Sequence, residues 1–243
     1  RGHRVAPHEI NYRANIWALK SVGVRWLVSV SAVGSLREEI VPGELVLVDQ
    51  FIDRTRNRRT TFFEDGIVGH VEFADPCCAV LRQVLQDACE AIDLPVHRAG
   101  TYVCIEGPQF STRAESNMFR AFGAHVVGMT NLPEARLARE AEMAYATVAM
   151  ATDYDCWRES SEDVSVEAVI AVLTANVDKA KRLVRAAVPR IAEAPSSTAW
   201  NALAHAFMTA PDQITPAAHA RLRLFLERYF PDPKADAGQE GIS

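Results

Sequence analysis

Apolar positions along the chain change between two spacings, and the changes mark its elements. Residues 11–22, "NYRANIWALKSV", carry apolar residues at helical spacing and stop at Gly23, which predicts a helix. "RWLVSVSAVG" (25–34) reads as a buried strand entering a glycine turn, and "GELVLVDQFID" (43–53) as another strand. Residues 54–75 are polar and predict a long loop, its arginines Arg54, Arg56, Arg58 and Arg59 facing solvent. "PCCAVLRQVLQDACEAI" (76–92) predicts an amphipathic helix with proline in its first turn. "AGTYVCIEGP" (99–108) predicts a strand and loop. "FSTRAESNMFRAFG" (110–123) predicts a helix with Thr112 and Glu115 as capping box and Gly123 as stop.

"AHVVGMT" (124–130) predicts a short strand, and "NLPEARLAREAE" (131–142) a helix capped by Asn131 with Pro133 in its first turn. Tyr145 to Thr152 form an apolar run, short enough for a strand covered on both faces, which ends in Asp153 and Asp155. Residues 160–192 predict a long helix, 198–209 and 216–229 two further helices, and the last residues a polar tail. This alternation, without a repeat or Gly/Ser linker, predicts a single α/β domain with a twisted, largely parallel or mixed sheet flanked by helices.

Composition narrows the function classes. The 243 residues carry a net charge of −5, so no basic excess supports binding to nucleic acid. No apolar stretch approaches the roughly 18–20 residues that span a bilayer, so no membrane partner is expected. Cys77, Cys78, Cys89, Cys104 and Cys156 form no CxxC pair or zinc spacing. That pattern fits a reducing cytoplasm and predicts neither disulfides nor a metal. There is no signal-peptide pattern, and because the first methionine is Met118 the encoded protein is expected to begin upstream.

In open α/β sheets ligands collect at the carboxyl ends of strands, and polar residues gather there. Ser31 and Ser35 flank Gly34, Ser111 and Thr112 open a helix, Met129 and Thr130 follow "HVVG", and Asp153 and Asp155 follow the apolar run. The helix start at Thr112 offers backbone N–H groups and two hydroxyls to an anion, although for Thr112 itself the helix cap is the favoured explanation. In extended backbone the acids at i and i+2 point the same way. They suit a glycosidic acid pair, a metal, or a ligand bearing donors. The plainer alternative is an Asx-type turn closing the strand.

Four stretches carry a resemblance: "INYRANIWALKSVGV", "SAVGSLREEIVPGELVLVDQFIDRT", "IEGPQFSTRAESNMFRAFGAHVVGMTNLPEARLARE" and "YATVAMATDYDCW". Over roughly residues 1–190 the chain resembles the trimeric purine nucleoside phosphorylase family, in particular its members acting on S-methyl-5′-thioadenosine. The resemblance implies the family's fold and phosphorolysis of that nucleoside to adenine and 5-methylthioribose 1-phosphate. It further implies a homotrimer, inorganic phosphate as co-substrate, and no metal or organic cofactor. Asp153 matches the family's acid at purine N7, and Asp155 the partner of the 6-amino group. Phe110 matches the residue on the purine face, Met129 the ribose contact, and Ser31, Ser111 and Thr130 the phosphate contacts. Val166, Val169 and Ile170 match the apolar wall around the methylthio group, unless they are plain helix core. His70 matches a histidine that reaches the neighbouring subunit's sugar pocket.

The resemblance also implies that a first strand, a glycine and serine phosphate loop and an Arg-His-Gly segment precede residue 1, with His3 and Pro7 as that segment's tail. Residues 1–210 are then the phosphorylase domain and 211–243 a C-terminal helical extension and tail. Rival expectations are a phosphorylase of 6-oxopurine nucleosides or methylthioinosine, and a non-catalytic nucleoside-binding chain if the phosphate loop is missing. Aspartate at 155 and valine at 166 count against the first.

Overall fold

Among the residues that the structure, a computed structural model, describes (4–158 and 166–231), seven strands form one mixed sheet. The strands are β1 (Trp26–Ser35), β2 (Leu45–Leu47), β3 (Gln50–Arg54), β4 (Val96–His97), β5 (Thr101–Ile105), β6 (Val126–Gly128) and β7 (Ala144–Tyr154). Their order is β3-β5-β6-β1-β7-β2-β4. Neighbours are parallel except β1 with β6 and β2 with β7.

The helices are α1 (Tyr12–Ser21), α2 (Ala79–Glu90), α3 (Arg113–Ala121), α4 (Asn131–Glu140), α5 (Val166–Ala192), α6 (Pro216–Arg221) and α7 (Arg223–Leu226). Strand β7 explains why two layers cover the sheet. Tyr145, Ala149 and Ala151 join the core cluster that holds Ile16 of α1 and Leu137 of α4. Ala144, Ala146, Val148 and Met150 join the cluster that holds Leu85 of α2 and Leu183 of α5. Side chains alternate across a strand, so a continuously apolar run serves two cores at once.

Residues 43–53 depart from the single strand expected of them. Leu45–Leu47 pairs antiparallel with β7, whereas Gln50–Arg54 pairs parallel with β5 at the far margin of the sheet. Three residues reach at most about 11 Å, while the five strand spacings between those positions would cover about 24 Å if the sheet were flat. The sheet must therefore curl until its margins approach. Gly100 stands where they meet: a Cβ there would lie 2.6 Å from Val46 Cγ1, and its N–H donates to Asp49 Oδ1 at 3.1 Å.

Further boundaries shift for local reasons. Helix α2 starts at Ala79, capped by the Cys78 sulfur rather than opened by Pro76. Thr130, not Asn131, stands at the N-cap of α4. The Asn131 amide is buried instead, donating to Tyr145 Oη at 2.7 Å and to Thr147 Oγ1. The expected 198–209 helix is a 3₁₀ turn, Thr198–Asn201, followed by turns, and Gly69 bridges Phe207. Leu222, Phe225 and Leu226 share a cluster with Phe62 and Phe63 of the long loop. Glu142 anchors this C-terminal region, accepting from Leu203 N at 3.3 Å and Tyr229 Oη at 2.5 Å.

Candidate active site

Strands β1 and β7 run side by side and stop together, which brings their ends into one place. Their register shifts after Val33: Val33 pairs with Ala151, but Gly34 pairs with Asp153, leaving Thr152 as an extra residue. Such a bulge re-aims the side chains beyond it. Gly34 lies against both acids, since a Cβ there would stand 3.3 Å from Asp153 Oδ1 and 3.3 Å from Asp155 Cβ. The strand ends at Tyr154, and Asp155 closes it by donating its N–H to Ser35 O at 3.0 Å.

The two carboxylates occupy different environments. Thr152 Oγ1 donates to Asp153 Oδ2 at 2.7 Å. Burial lifts the Asp153 carboxyl above its ordinary value; the Thr152 hydroxyl opposes that rise and the charge of Asp155 adds to it. Asp155 is buried, and its Oδ2 has no hydrogen-bond partner within the protein. A buried carboxylate oxygen without a donor is costly, so this atom is suited to accept from a ligand.

A second knot of polar atoms lies where β1, β5 and β6 run together. Ser31 Oγ is 3.1 Å from the Tyr102 hydroxyl, and Thr130 lies beside the same hydroxyl. Tyr102 is fully buried, and burial drives its phenol far above the ordinary value. Gly128 makes the room, because a Cβ there would collide with the Tyr102 hydroxyl.

The turn after β5 completes the region. Gly107, at φ +66°, lets Met129 lie close: a Cβ there would meet Met129 Sδ at 2.6 Å. Phe110 is 84% exposed. Ser111 Oγ is buried without a partner within the protein, while Cys156 Sγ donates to Ser111 O at 3.2 Å. A cavity of about 430 Å³ is lined by Arg54, Arg56, Glu106, Phe110, Ser111 and Thr112. Thr112 serves as the helix cap, in a complete capping box with Glu115.

Arg58 corrects the reading of the arginine loop. Arg54, Arg56 and Arg59 are exposed as expected, but the Arg58 side chain is 1% exposed. Its Nη1 donates to Met129 O and Leu132 O at 2.6 Å each, and its Nη2 to Glu106 O at 2.6 Å and Ile105 O at 3.3 Å. Its Nε lies 3.4 Å from the Glu106 carboxylate, as an ion pair. One guanidinium thus ties the end of β5 to the turn that carries Met129 and Thr130. Nothing in the local pattern separates Arg58 from its three neighbours, and Tyr102 was likewise hidden, as one more aromatic in a buried strand.

The structure therefore brings Asp153 and Asp155 together on Gly34, Ser31 and Thr130 together on Tyr102, and Met129 against Gly107. It places Phe110 and Ser111 on one cavity, whose lining excludes both aspartates. His70 is exposed on the long loop, its backbone N–H donating to Ala206 O at 2.7 Å, with no ring hydrogen bond to the strand-end residues. Val166, Val169 and Ile170 lie in the first turns of α5, but their side chains fall outside the described ones. Among the described residues no three His, Cys, Asp or Glu cluster as a metal site, and no helix is long and apolar enough to cross a membrane.

Known proteins are similar to this chain in sequence and fold. The phosphorylase superfamily profile matches residues 2–189. The S-methyl-5′-thioadenosine phosphorylase of Geobacter sulfurreducens is 54% identical over 230 residues, spanning 94% of this chain and 80% of that protein. The protein of the same name from Thermosynechococcus vestitus is 53% identical, over 95% of this chain and 81% of its own. Among solved structures, a methylthioadenosine phosphorylase from an antarctic soil metagenomic library superposes with a TM-score of 0.89 at 48% identity, covering 93% and 80% of the two chains. A methylthioadenosine phosphorylase from Schistosoma mansoni in complex with adenine superposes at 0.75 with 33% identity, covering 93% and 80%.

Proposed function

The chain belongs to the phosphorylase superfamily, and from that premise we propose that it catalyses phosphorolysis of S-methyl-5′-thioadenosine. The products are adenine and 5-methylthioribose 1-phosphate. The relatives named for that activity support the reading, but one observation carries it: a buried acid pair on Gly34 in which one carboxyl is pushed up and the other keeps an unpartnered oxygen.

In the reaction a phosphate oxygen bonds to ribose C1′ as the C1′–N9 bond breaks, and that bond's electron pair passes to the purine. Charge then builds on the leaving group. Asp153, whose raised pKa lets it hold a proton closer to neutral pH, donates to N7 and discharges the purine. Asp155 accepts from the 6-amino group through its unpaired Oδ2. A 6-oxopurine would set a carbonyl against that carboxylate, leaving two acceptors facing each other, which disfavours it strongly.

The remaining roles follow the strand ends. Ser31, Thr130 and Ser111 bind phosphate, with the buried, unpartnered Ser111 Oγ as a waiting donor. Met129 lies against the ribose and Phe110 closes over the purine. Val166, Val169 and Ile170 form the methylthio wall, and His70 of a neighbouring copy completes the sugar pocket of a homotrimer. Phosphate is the co-substrate, no cofactor or metal takes part, and the enzyme works in the cytoplasm.

Incubating the purified full chain with S-methyl-5′-thioadenosine tests this directly. Adenine should appear only when phosphate is added, together with a sugar 1-phosphate. Adenine release independent of phosphate, or faster turnover of methylthioinosine, would overturn the reading.

A further inference from the structure

The Tyr102 hydroxyl is an expensive feature to place in a core: a fully buried phenol at the crossing of three strands. A phenylalanine would fill the same space without a polar atom to satisfy. The surroundings are nevertheless arranged around that oxygen. Gly128 is empty where any side chain would strike it, and Ser31 Oγ stands 3.1 Å away. Thr130, on the next strand end, lies beside the same oxygen.

We infer that Tyr102 is a positioning residue for the phosphate co-substrate, orienting the Ser31 hydroxyl so that its proton faces the anion. Proton accounting supports this. A serine or threonine hydroxyl has one proton and two lone pairs, and a phenol likewise has one proton to give. A bound phosphate accepts, so each neighbouring hydroxyl must donate to it. A proton donated to the Ser31 lone pair from the side away from the anion favours that outward orientation. The phenol, 3.1 Å away, supplies that proton. Without Tyr102 the Ser31 hydroxyl keeps only Ala32 O as an alternative, at a long 3.4 Å, and a donation there points its proton away from the anion.

The inference rests on the phosphorolysis reading, and Tyr102→Phe separates the two because it removes one oxygen and leaves the packed ring. The KM for phosphate should rise on the order of three- to tenfold, the expected worth of a neutral hydrogen bond. The KM for S-methyl-5′-thioadenosine should stay within about twofold, since no nucleoside contact changes. In a Ser31→Ala background the same change should have a smaller effect, because the group through which Tyr102 acts is gone. An unchanged phosphate KM, or equal rises for both substrates with a fall in Tm, would overturn the inference, the latter making the tyrosine a fold residue only. Calorimetric titration of both proteins with inorganic phosphate gives the same comparison without turnover. If the parent chain performs no phosphorolysis, the functional reading fails, and a phosphate affinity equal in parent and variant then rejects the role of Tyr102 separately.

Discussion

At Gly34 a missing side chain makes the site possible, because the two acids occupy the space a Cβ would crowd. Asp155→Asn replaces an acceptor-only carboxylate by a group that also donates. The ratio of kcat/KM for methylthioadenosine over methylthioinosine should fall by about ten- to a hundredfold, and an unchanged ratio would remove Asp155 from the 6-amino group. Asp153→Asn should lower kcat by about 10²–10⁴-fold, the usual contribution of a positioned proton donor. The same variant should gain stability. Burial makes the folded Asp153 hold its proton to a higher pH than the unfolded chain does. Native stability therefore falls as the pH rises from the ordinary aspartate value through the folded one, and the loss is complete above it. Asp153→Asn should accordingly melt above the parent at pH 7, with the gap narrowing as the pH falls toward 4. A variant that melts lower at both values would contradict the assigned environment.

Among the elements, the turns after the strands matter more than the strands. Arg58 holds two of them by donating to four backbone carbonyls. Arg58→Met keeps much of the stem's volume but strands those carbonyls and the Glu106 carboxylate. Urea unfolding should show a loss of about 3–5 kcal/mol, the range for breaking a buried charged network. Arg58→Lys should recover only part of it, since an ammonium lacks the planar fork that reaches both turns. Equal stability of Arg58→Met and parent would show that the turns hold without the clamp. The helix caps behave differently. Thr112 was readable as a cap because its capping box lies wholly within four residues. Asn131 departs from the expected cap because its amide answers to Tyr145 and Thr147, on a strand 14 and 16 residues away.

For the whole molecule, the exposed His70 and the open Phe110 mark surfaces that a neighbouring copy would cover in the proposed trimer. Sedimentation of the full chain should give a single species of about three chain masses, and His70→Ala should raise the nucleoside KM without dissociating it. A stable monomer with full activity would refute that assembly. Leu222, Phe225 and Leu226 belong to the core, where they pack with Phe62 and Phe63.

Periodicity alone determined the α/β class, the buried β7 strand and the placement of candidate residues after strands, because these follow from local alternation and burial on two faces. The motif stretches carried the family resemblance, and the family match spans residues 2–189. Which hydroxyls meet, which arginine is buried and where residues 43–53 divide were decided only by tertiary structure. Arg58 and Arg59 are neighbours in the chain, yet one is sealed against four carbonyls and the other is exposed. Leu47 and Gln50 join opposite margins of the sheet only because that sheet curls. Ser31 and Tyr102 lie on separate chain segments, and their hydrogen bond exists only once β1, β5 and β6 are side by side. Contacts at long sequence separation leave no periodic trace, because each depends on the register between strands and not on the residues beside it.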